Sequence, residues 1–377
     1  MSRNTRFALL CFLLISLTSC YNKQTGQYQI SPNDSLIPEF ASGFTIKYFN
    51  DYKEVIVKNP WDKNITFARY YLVDNDTIQI PSDGVRIVTP VNKTAVSSST
   101  HFEFLHLLNE LDKVKGVCSP ELIFNAYIHD EFSAGKIEDL GDAFNINVEK
   151  TLKLQPEILM MSGYKQDDPY AKRVIQAGTP VVYNNEWMEN SLLARAEWIK
   201  FVAVFYNKEA QADSIFDFVK DQYLFVKSKA QSANHHPRIM TGSNFRGTWY
   251  MPGGKSFMAQ LFADAGGDYY YANDTTKGSL PLNAETVLKL FSTTEVWLNC
   301  NFSTIDELVK SDRKHALFQP VMNNRVYNFN KRMLTSGAND FWESAVARPD
   351  LLLMDVISVL HPGLLPEHQL IYADQLK

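Results

Sequence analysis

Aromatic and cationic side chains gather in the segments that follow the predicted strands. A flat aromatic face suits a planar ring such as a corrin, a porphyrin or a catecholate. An Arg or Lys side chain suits peripheral carboxylates or an anionic chelate. One aromatic residue alone is usually a packing residue, so the prediction of a binding site depends on the whole set. The set is Tyr127, Tyr164, Trp187, Phe245, Arg246, Trp249, Tyr250, Lys331 and Arg332.

The eight histidines raise the alternative of a site for a bare metal ion. His101 and His106 are five residues apart, a spacing that does not place them on one face of a helix. His235 and His236 stand beside a predicted strand much later in the chain. His101, in a predicted strand-to-helix loop, is the one candidate ligand for a chelate. A lipoprotein that binds bare zinc or manganese therefore remains the alternative function, and no metal site is predicted.

Catalytic motifs are missing from the sequence. Gly242-Ser243 continues as Asn-Phe-Arg-Gly, which is not the turn of a serine hydrolase. No phosphate-binding loop and no dinucleotide-binding glycine pattern follows a predicted strand. We therefore predict no catalytic residue and no cofactor, and a lipid-anchored hydrolase is the least favoured alternative.

The amino terminus is typical of an export signal. Arg3 and Arg6 precede a run over residues 7–17 that is apolar except for Ser16, about half of the ~20 residues that a membrane-spanning helix needs. The following Leu-Thr-Ser-Cys resembles the bacterial lipobox, which implies cleavage before Cys20 and its lipidation. Tyr21, and not Asp, comes next, which favours an outer-membrane anchor with the protein facing the periplasm.

After the signal, the chain shows two rounds of the same pattern. Short β-branched runs such as VRIVTPV and HPRIMTGS alternate with segments of helical spacing, which predicts parallel sheets covered by helices. A long segment without Gly or Pro lies between the rounds and predicts a helix that braces both. The fold class is therefore α/β, with two lobes that each contain a mostly parallel sheet.

The predicted organisation has six parts. The polar segment after Cys20 is expected to be a tether, and the alternating Val-, Ile- and Tyr-rich segment after it an antiparallel β meander. The parts are a signal peptide (1–20), a tether (21–43), a meander (44–82), a first lobe (83–185), connecting helices (186–234) and a second lobe (235–377).

The net charge bears on the class of partner, and the cysteines bear on whether a disulfide forms. The net charge of −5 argues against nucleic acid, which requires a basic face. Cys118 and Cys300 fall in different predicted lobes. Two separate buried thiols are favoured over a disulfide, although an exported protein could form one.

A set of motifs then points to a family. Two segments of the second lobe, GTWYMPGGKSFMAQLFADAGGDY and LNAETVLKL, accompany a pattern in the first lobe. Together, over residues 83–360, they resemble class III periplasmic binding proteins, which carry cobalamin, ferric siderophores or haem for ABC importers. The first-lobe pattern consists of Gly141, Asn147, Glu149, Leu154, Pro156 and Glu157.

This resemblance implies roles for particular residues. In the family, one glutamate on each lobe docks against arginines of the membrane subunits, and Glu149 and Glu285 occupy those positions. Phe341-Trp342-Glu343 resembles a segment that lines the pocket of cobalamin-binding members, which adds Trp342 to the predicted site. The expected protein is a monomer that delivers a metal chelate to an ABC permease. A corrinoid is slightly favoured over a ferric siderophore or haem, because aromatic side chains outnumber cationic ones in the set.

Overall fold

A computed structural model describes residues 32–62 and 65–377. The predicted signal peptide, Cys20 and most of the predicted tether lie outside these residues. Residues 33–377 form one compact unit. In the part of the chain that the structure describes, no helix is both long and apolar enough to cross a bilayer. The fold class is α/β as predicted, with two lobes and a long connecting helix.

A five-stranded sheet leads into the first lobe. Strands β1 to β4 are antiparallel, and β5 runs parallel to β4 at the edge of the sheet. Alternation along β2 places Phe44 and Ile46 in the core. The strands are β1 (Asp34–Leu36), β2 (Phe44–Tyr48), β3 (Lys53–Lys58), β4 (Thr66–Val73) and β5 (Val85–Val88).

Strand β5 lies elsewhere than the sequence predicts. It was expected to open the parallel sheet of the first lobe, yet it pairs with β4 in the preceding sheet. Its burial gives the reason: Ile87 is buried, whereas Val85 and Val88 are exposed. A strand covered on one face only cannot occupy the centre of a doubly covered sheet. The first lobe therefore begins after β5 and not at residue 83.

Part of the predicted tether also belongs to the body. Strand β1 lies inside residues 21–43, and the residues after it are fixed by two buried carboxylates. Glu197 accepts hydrogen bonds of 2.8–2.9 Å from the backbone N–H groups of residues 39–41. Glu189 accepts from those of residues 42 and 43 at the same distances. The segment is thus fastened to the connecting helices.

The first lobe has a parallel sheet in the order β12-β11-β6-β7-β8. All four residues of β11 are buried, as expected for a central strand covered on both faces. Its strands are β6 (Thr94–Val96), β7 (Val114–Val117), β8 (Glu138–Asp139), β11 (Ile158–Met161) and β12 (Val181–Tyr183), with a hairpin of β9 (Gly141–Asp142) and β10 (Asn145–Ile146). Its helices are α1 (Phe102–Leu107), α2 (Ala126–Ser133), α3 (Val148–Leu154) and α4 (Pro169–Gln176).

Three helices connect the lobes: α5 (Leu192–Ala196), α6 (Trp198–Ala203) and α7 (Glu209–Gln231). Helix α7 has 23 residues and is therefore about 35 Å long. Its Phe216 packs in the core of the first lobe, whereas Tyr223 packs in the core of the second. A single straight element thus joins both cores, which agrees with the bracing role predicted from the sequence.

The second lobe has a sheet in the order β16-β13-β18-β19-β20, in which β20 alone is antiparallel to its neighbour. A small antiparallel sheet, β14-β15-β17, lies beside it. The strands are β13 (Arg238–Thr241), β14 (Asn244–Phe245), β15 (Thr248–Pro252), β16 (Asp268–Tyr269), β17 (Ser279–Leu282), β18 (Val296–Leu298), β19 (Val326–Asn328) and β20 (Asp374–Gln375). The helices are α8 (Phe257–Asp264), α9 (Ala284–Phe291), α10 (Ile305–Ser311), α11 (Gln319–Met322), α12 (Ser344–Ala347) and α13 (Pro349–Leu360).

Helix α12 provides a second connection between the lobes. Its Val346 and Ala347 belong to the same buried cluster as the core of the first lobe. Its Ala345 belongs to the core of the second lobe. Because α7 and α12 both join the two cores, a large opening of the lobes would expose apolar surface at two places.

The two cysteines within the described residues, Cys118 and Cys300, are unpaired and lie in separate cores. Burial raises the pKa of the Cys118 thiol and of the Cys300 thiol to about 12. Reactive cysteines are thiolates, so both groups are expected to be inert.

Candidate functional site

Three aromatic side chains form a surface at the carboxyl edge of the first-lobe sheet. Tyr164 follows β11 and Trp187 follows β12, and these strands are parallel neighbours, so both residues reach the same edge. The ring centres of Tyr164 and Trp187 are 5.6 Å apart, and those of Phe144 and Tyr164 are 4.7 Å apart. We call Phe144, Tyr164 and Trp187 the aromatic platform.

Phe144 was not predicted from the sequence. It lies in the turn between β9 and β10, and 65% of its surface is exposed. The sequence feature that could have identified it is a large apolar residue in a short polar segment, a position where an apolar side chain is expected to stay exposed. Its position beside Tyr164 depends on how the hairpin folds against the strand ends, which the local sequence does not reveal.

The second lobe presents aromatic residues after β13. Phe245 is 60% exposed and Tyr250 is 49% exposed. The guanidinium of Arg246 lies 5.1 Å from the centre of the Phe245 ring, and Arg246 adopts a left-handed backbone with φ of 51°. These three predicted residues are therefore accessible to a ligand.

Trp249 is a correction to the predicted site. It is only 1% exposed, and its ring packs 5.4 Å from that of Trp297. Its Nε1–H donates to the carbonyl of Thr241 at 2.8 Å. Side chains alternate along a strand, so when Tyr250 points to solvent its neighbour must point into the core. Trp249 supports the second lobe and does not face a ligand.

Residues after β19 reach the first lobe. The Arg332 guanidinium lies 5.2 Å from the centre of the Phe124 ring and 3.1 Å from a carboxylate oxygen of Asp340. Trp342, which is 49% exposed, packs edge-on against Phe341. Tyr127, at the start of α2, is 40% exposed. The loops that carry Phe124 and Arg332 therefore face each other.

Glu343 joins the lobes directly. Its carboxyl oxygens accept hydrogen bonds from the backbone N–H groups of Phe124 and Asn125, the latter at 3.0 Å, just before α2. Burial raises the pKa of Glu343 to about 8. The two backbone hydrogen bonds oppose this rise, and the nearby charge of Asp340 adds to it. Burial likewise raises the pKa of Glu103, on α1, to about 7. The contact zone of the lobes thus holds two carboxyl groups that resist ionisation.

A small recess, with room for about one water molecule, lies between α5, α8 and α12. Arg195 lines it, and its guanidinium stacks 4.7 Å from the centre of the Phe257 ring. Trp342 lines the same recess. The recess therefore combines one cation with apolar walls, a composition common in sites for organic ligands.

His101 is fully buried, which corrects its prediction as a ligand of a bound chelate. Its Nε2 lies 3.3 Å from the Ser162 hydroxyl. Burial lowers the pKa of His101 to about 3, so the imidazole is neutral at physiological pH. Within the described ranges, no group of three or more His, Cys, Asp or Glu side chains is arranged to hold a metal ion.

The two predicted docking glutamates occupy equivalent positions. Glu149 lies in the first turn of α3 and Glu285 in the first turn of α9, and both are exposed. Each helix is capped by an asparagine: Asn147 accepts from the Lys150 N–H at 3.0 Å, and Asn283 accepts from the Thr286 N–H at 2.8 Å. A carboxylate in a first turn is stabilised by the helix dipole, so these positions hold the charge in place.

The sequence profile of the periplasmic binding protein family matches residues 95–333, more than half of the chain. The chain belongs to this family. The class III resemblance that the motifs indicated is thereby confirmed, and the related proteins are binding proteins of transporters and not enzymes.

Two curated relatives illustrate the range of similarity. An uncharacterised lipoprotein of Methanocaldococcus jannaschii is 26% identical over 369 residues, which cover 90% of this chain and 86% of that protein. The high-affinity heme uptake system protein IsdE of Staphylococcus aureus is 25% identical over 163 residues, which cover 41% of this chain and 54% of IsdE.

Solved structures share the fold at lower identity. Staphylococcus aureus IsdE complexed with heme has a TM-score of 0.53 and 18% identity, covering 72% of this chain and 98% of its own. The periplasmic heme-binding protein HutB of Vibrio cholerae has a TM-score of 0.57 and 14% identity. The match covers 72% of this chain and 100% of the HutB chain. Helicobacter pylori CeuE in a nickel–histidine complex has a TM-score of 0.57 and 16% identity. The match covers 83% of this chain and 90% of the CeuE chain.

Proposed function

We propose that this periplasmic binding protein captures a metal chelate with a planar face and delivers it to an ABC permease. The observation that carries the proposal is the exposure of aromatic side chains on both lobes, in segments that come after strands of the two parallel sheets. The platform supplies three rings, and Phe245 and Tyr250 supply two more. Ligands of open parallel sheets bind at the carboxyl ends of the strands, and Tyr164 and Trp187 follow two such strands.

The rigid connection between the lobes suits capture without a large closure. Helix α7 joins both cores, and Glu343 ties the second lobe to the loop before α2. A cleft that is already formed loses little freedom when a ligand binds, which favours affinity.

Delivery would use Glu149 and Glu285. Both carboxylates are exposed in first helical turns, one on each lobe. Basic side chains of a permease could therefore pair with both at once and orient the cleft towards the membrane. Charge pairs of this kind steer association and fix its register.

The anchor would be a lipid on Cys20. A relative that covers most of this chain is itself named a lipoprotein, which supports that part of the proposal. The outer-membrane assignment, which rests on Tyr21, has no support among the relatives. The fastening of residues 39–43 to Glu189 and Glu197 means that the free tether would end there.

Haem is the first chelate to test, because two similar proteins are named for heme. A corrinoid or a ferric siderophore is the next, since the rings would accept either. No specific observation favours the bare zinc or manganese ion. Neither does any observation favour a hydrolase.

Calorimetry on the purified protein tests the proposal. The protein would be titrated separately with haemin, cobalamin, a ferric catecholate siderophore, Zn²⁺ and Mn²⁺. We expect one chelate to bind with a stoichiometry of one and the bare ions to bind weakly or not at all. Tight binding of Zn²⁺ or Mn²⁺ without binding of any chelate would replace this proposal with the bare-ion alternative.

A further inference from the structure

The described residues contain nine buried side-chain nitrogen or oxygen atoms without a hydrogen-bond partner, and seven of them lie on six neighbouring residues. We call these six residues the polar cluster. The atoms are His101 Nδ1, Asn184 Nδ2, Asn185 Nδ2, Glu186 Oε1 and Oε2, Trp187 Nε1 and Arg195 Nε.

The cluster occupies one place in the fold. Its members follow β6 and β12, and Ser162–Gly163, which follow the intervening β11, connect them. Ser162 Oγ lies 3.3 Å from His101 Nε2, and the Gly163 N–H donates to Asn185 Oδ1 at 2.8 Å. The Arg195 guanidinium forms an ion pair with a Glu186 oxygen at 3.6 Å, longer than a hydrogen bond, and Thr100 also lies near Glu186. The cluster therefore lies beneath the aromatic platform, with which it shares Trp187.

Such a concentration requires an explanation. Each buried polar group without a partner loses its hydration and gains nothing in return. Native proteins leave few such groups, and those that remain are often functional. Glu186, Asn184 and His101 have no exposed surface, and Arg195 is only 5% exposed. Six such residues side by side indicate a place that is completed by a polar guest.

The chemistry of the guest follows from the groups present. Arg195 is always charged, and the two asparagine amides and the Trp187 indole are donors. Burial raises the pKa of Glu186. The charge of Arg195 and a contact with Thr100 oppose this rise, whereas the charge of Glu189 adds to it. A protonated Glu186 would be another donor, and His101 is neutral. The cluster is therefore rich in donors, and Arg195 adds a cation, which matches an oxyanion.

Arg195 and Trp187 form two boundaries of the cluster. The Arg195 side chain lines the recess beside Phe257 and Trp342 and reaches the cluster with its guanidinium. Trp187 forms the other boundary, because its ring contacts Tyr164 on the platform while its N–H is buried. A ligand on the platform could therefore reach the cluster with a peripheral group.

We propose that the polar cluster is a carboxylate-binding subsite, which takes either a carboxylate arm of the bound chelate or a small free carboxylate. The first form rests on the proposed function, whereas the second does not. The subsite would select among planar ligands that stack equally well on the platform.

The test compares haemin with haem dimethyl ester, which has the same ring but no free carboxylate. We expect the full-length protein to bind haemin about tenfold or more tightly than the ester. Hydrogen bonds to a charged group are strong enough to produce a difference of this size. Asn184→Asp replaces a buried donor by an acceptor of the same shape and should abolish the preference. Asn283→Asp makes the same change at an exposed helix cap and should preserve it. Equal affinities in the wild type, or a preference that survives Asn184→Asp, would overturn the proposal.

Glu186→Gln provides a variant that adds no charge. In the wild type, the preference for haemin should decline as the pH rises and Glu186 ionises beside the ligand. Glu186→Gln should retain the preference wherever the haemin carboxylates are ionised, because its amide stays neutral. The same decline in wild type and variant would show that Glu186 does not face the carboxylate.

Sodium propionate, added to the protein without any chelate, separates this inference from the proposed function. Propionate should raise the melting temperature of the wild type and of Asn283→Asp, but not that of Asn184→Asp. If no chelate binds and propionate still has this effect, the subsite stands and the chelate function fails. If haemin binds without regard to its carboxylates and propionate has no effect, the function stands and the subsite fails.

Discussion

The substitution Glu343→Gln is expected to stabilise the protein at alkaline pH and to leave its stability near pH 5 unchanged. Glu343 is 3% exposed and lies in the contact between the lobes. Burial raises its pKa to about 8, although the N–H groups of Phe124 and Asn125 partly oppose the rise. Glutamine has the shape of the protonated acid and keeps one oxygen that can accept a hydrogen bond. The folded variant therefore resembles the folded wild type below pH 8, while the difference in stability develops between pH 4.5 and pH 8, where only the unfolded wild type ionises.

The sign and size follow from linkage between protonation and folding. The carboxyl has a pKa of 4.5 without the fold and about 8 within it. The folded state holds the proton more tightly, so its stabilisation is complete below pH 4.5 and is lost as the pH rises through 8. Each pKa unit corresponds to about 1.4 kcal/mol, so a loss of about 3–5 kcal/mol is expected between pH 5 and pH 9.

Urea unfolding followed by tryptophan fluorescence at pH 5, 7 and 9 measures this effect. The quantity of interest is the free energy of unfolding of the variant minus that of the wild type. The raised pKa of Glu103 acts in the same direction up to about pH 7 in both proteins, so its effect cancels in the difference except for its charge interaction with Glu343. Glu121→Gln, at an exposed position in the neighbouring loop, is the matched control and should show no dependence.

One outcome would refute this reasoning. If Glu343→Gln destabilised the protein most at pH 9, the ionised carboxylate would be the form that the fold prefers. The two backbone N–H groups before α2 would then outweigh the burial of the charge, and the assignment of Glu343 as a protonated tie between the lobes would be wrong.

Three further predictions concern the core, the permease and the anchor. Trp249→Ala should lower the free energy of unfolding in urea by about 3–5 kcal/mol, as for a buried aromatic residue, and leave haemin affinity unchanged; weakened binding in a stable variant would return Trp249 to the site. Glu149→Lys combined with Glu285→Lys should abolish chelate uptake by cells without changing the affinity of the purified protein, because each charge reversal turns an attraction into a repulsion; normal uptake would remove both residues from docking. Cys20→Ser should prevent labelling by radioactive palmitate and release the protein into soluble fractions, and continued labelling would contradict the lipobox interpretation.

Local patterns in the sequence were sufficient for the fold class. The Gly- and Pro-free segment with apolar residues at helical spacing became α7, and it joins both cores as expected. Strand and helix periodicities likewise indicated both parallel sheets, because each reflects which face of an element is buried.

Predictions failed where burial depended on a partner distant in sequence. Trp249 and Tyr250 are adjacent aromatic residues, and the choice of which faces the core depends on how β15 pairs with β17. Residues 85–88 form an apolar run that would suit a central strand, but β4 was available as a partner. Composition alone does not distinguish these cases.

The contacts between the lobes were equally hidden. Glu343 was noted for its position after Trp342, yet its partner loop lies more than 200 residues earlier in the chain. The polar cluster joins His101 to residues 184–187 through the order of strands in the sheet. Asparagine, glutamate and tryptophan in a loop give no indication that their polar atoms will be buried without partners.

The affinity of haemin for variants that lack one exposed ring on either lobe tests the central claim most directly. Tyr164→Ala and Phe245→Ala remove one ring from each lobe, and Phe225→Ala removes an exposed ring from α7 as the matched control. Each of the first two should weaken binding by about 2 kcal/mol, roughly 30-fold, as for an aromatic residue at the centre of an interface. Phe225→Ala should bind haemin as the wild type does. If haemin binds the wild type and all three variants with one affinity, the ligand does not lie between the rings of the two lobes, and the account of the site is contradicted.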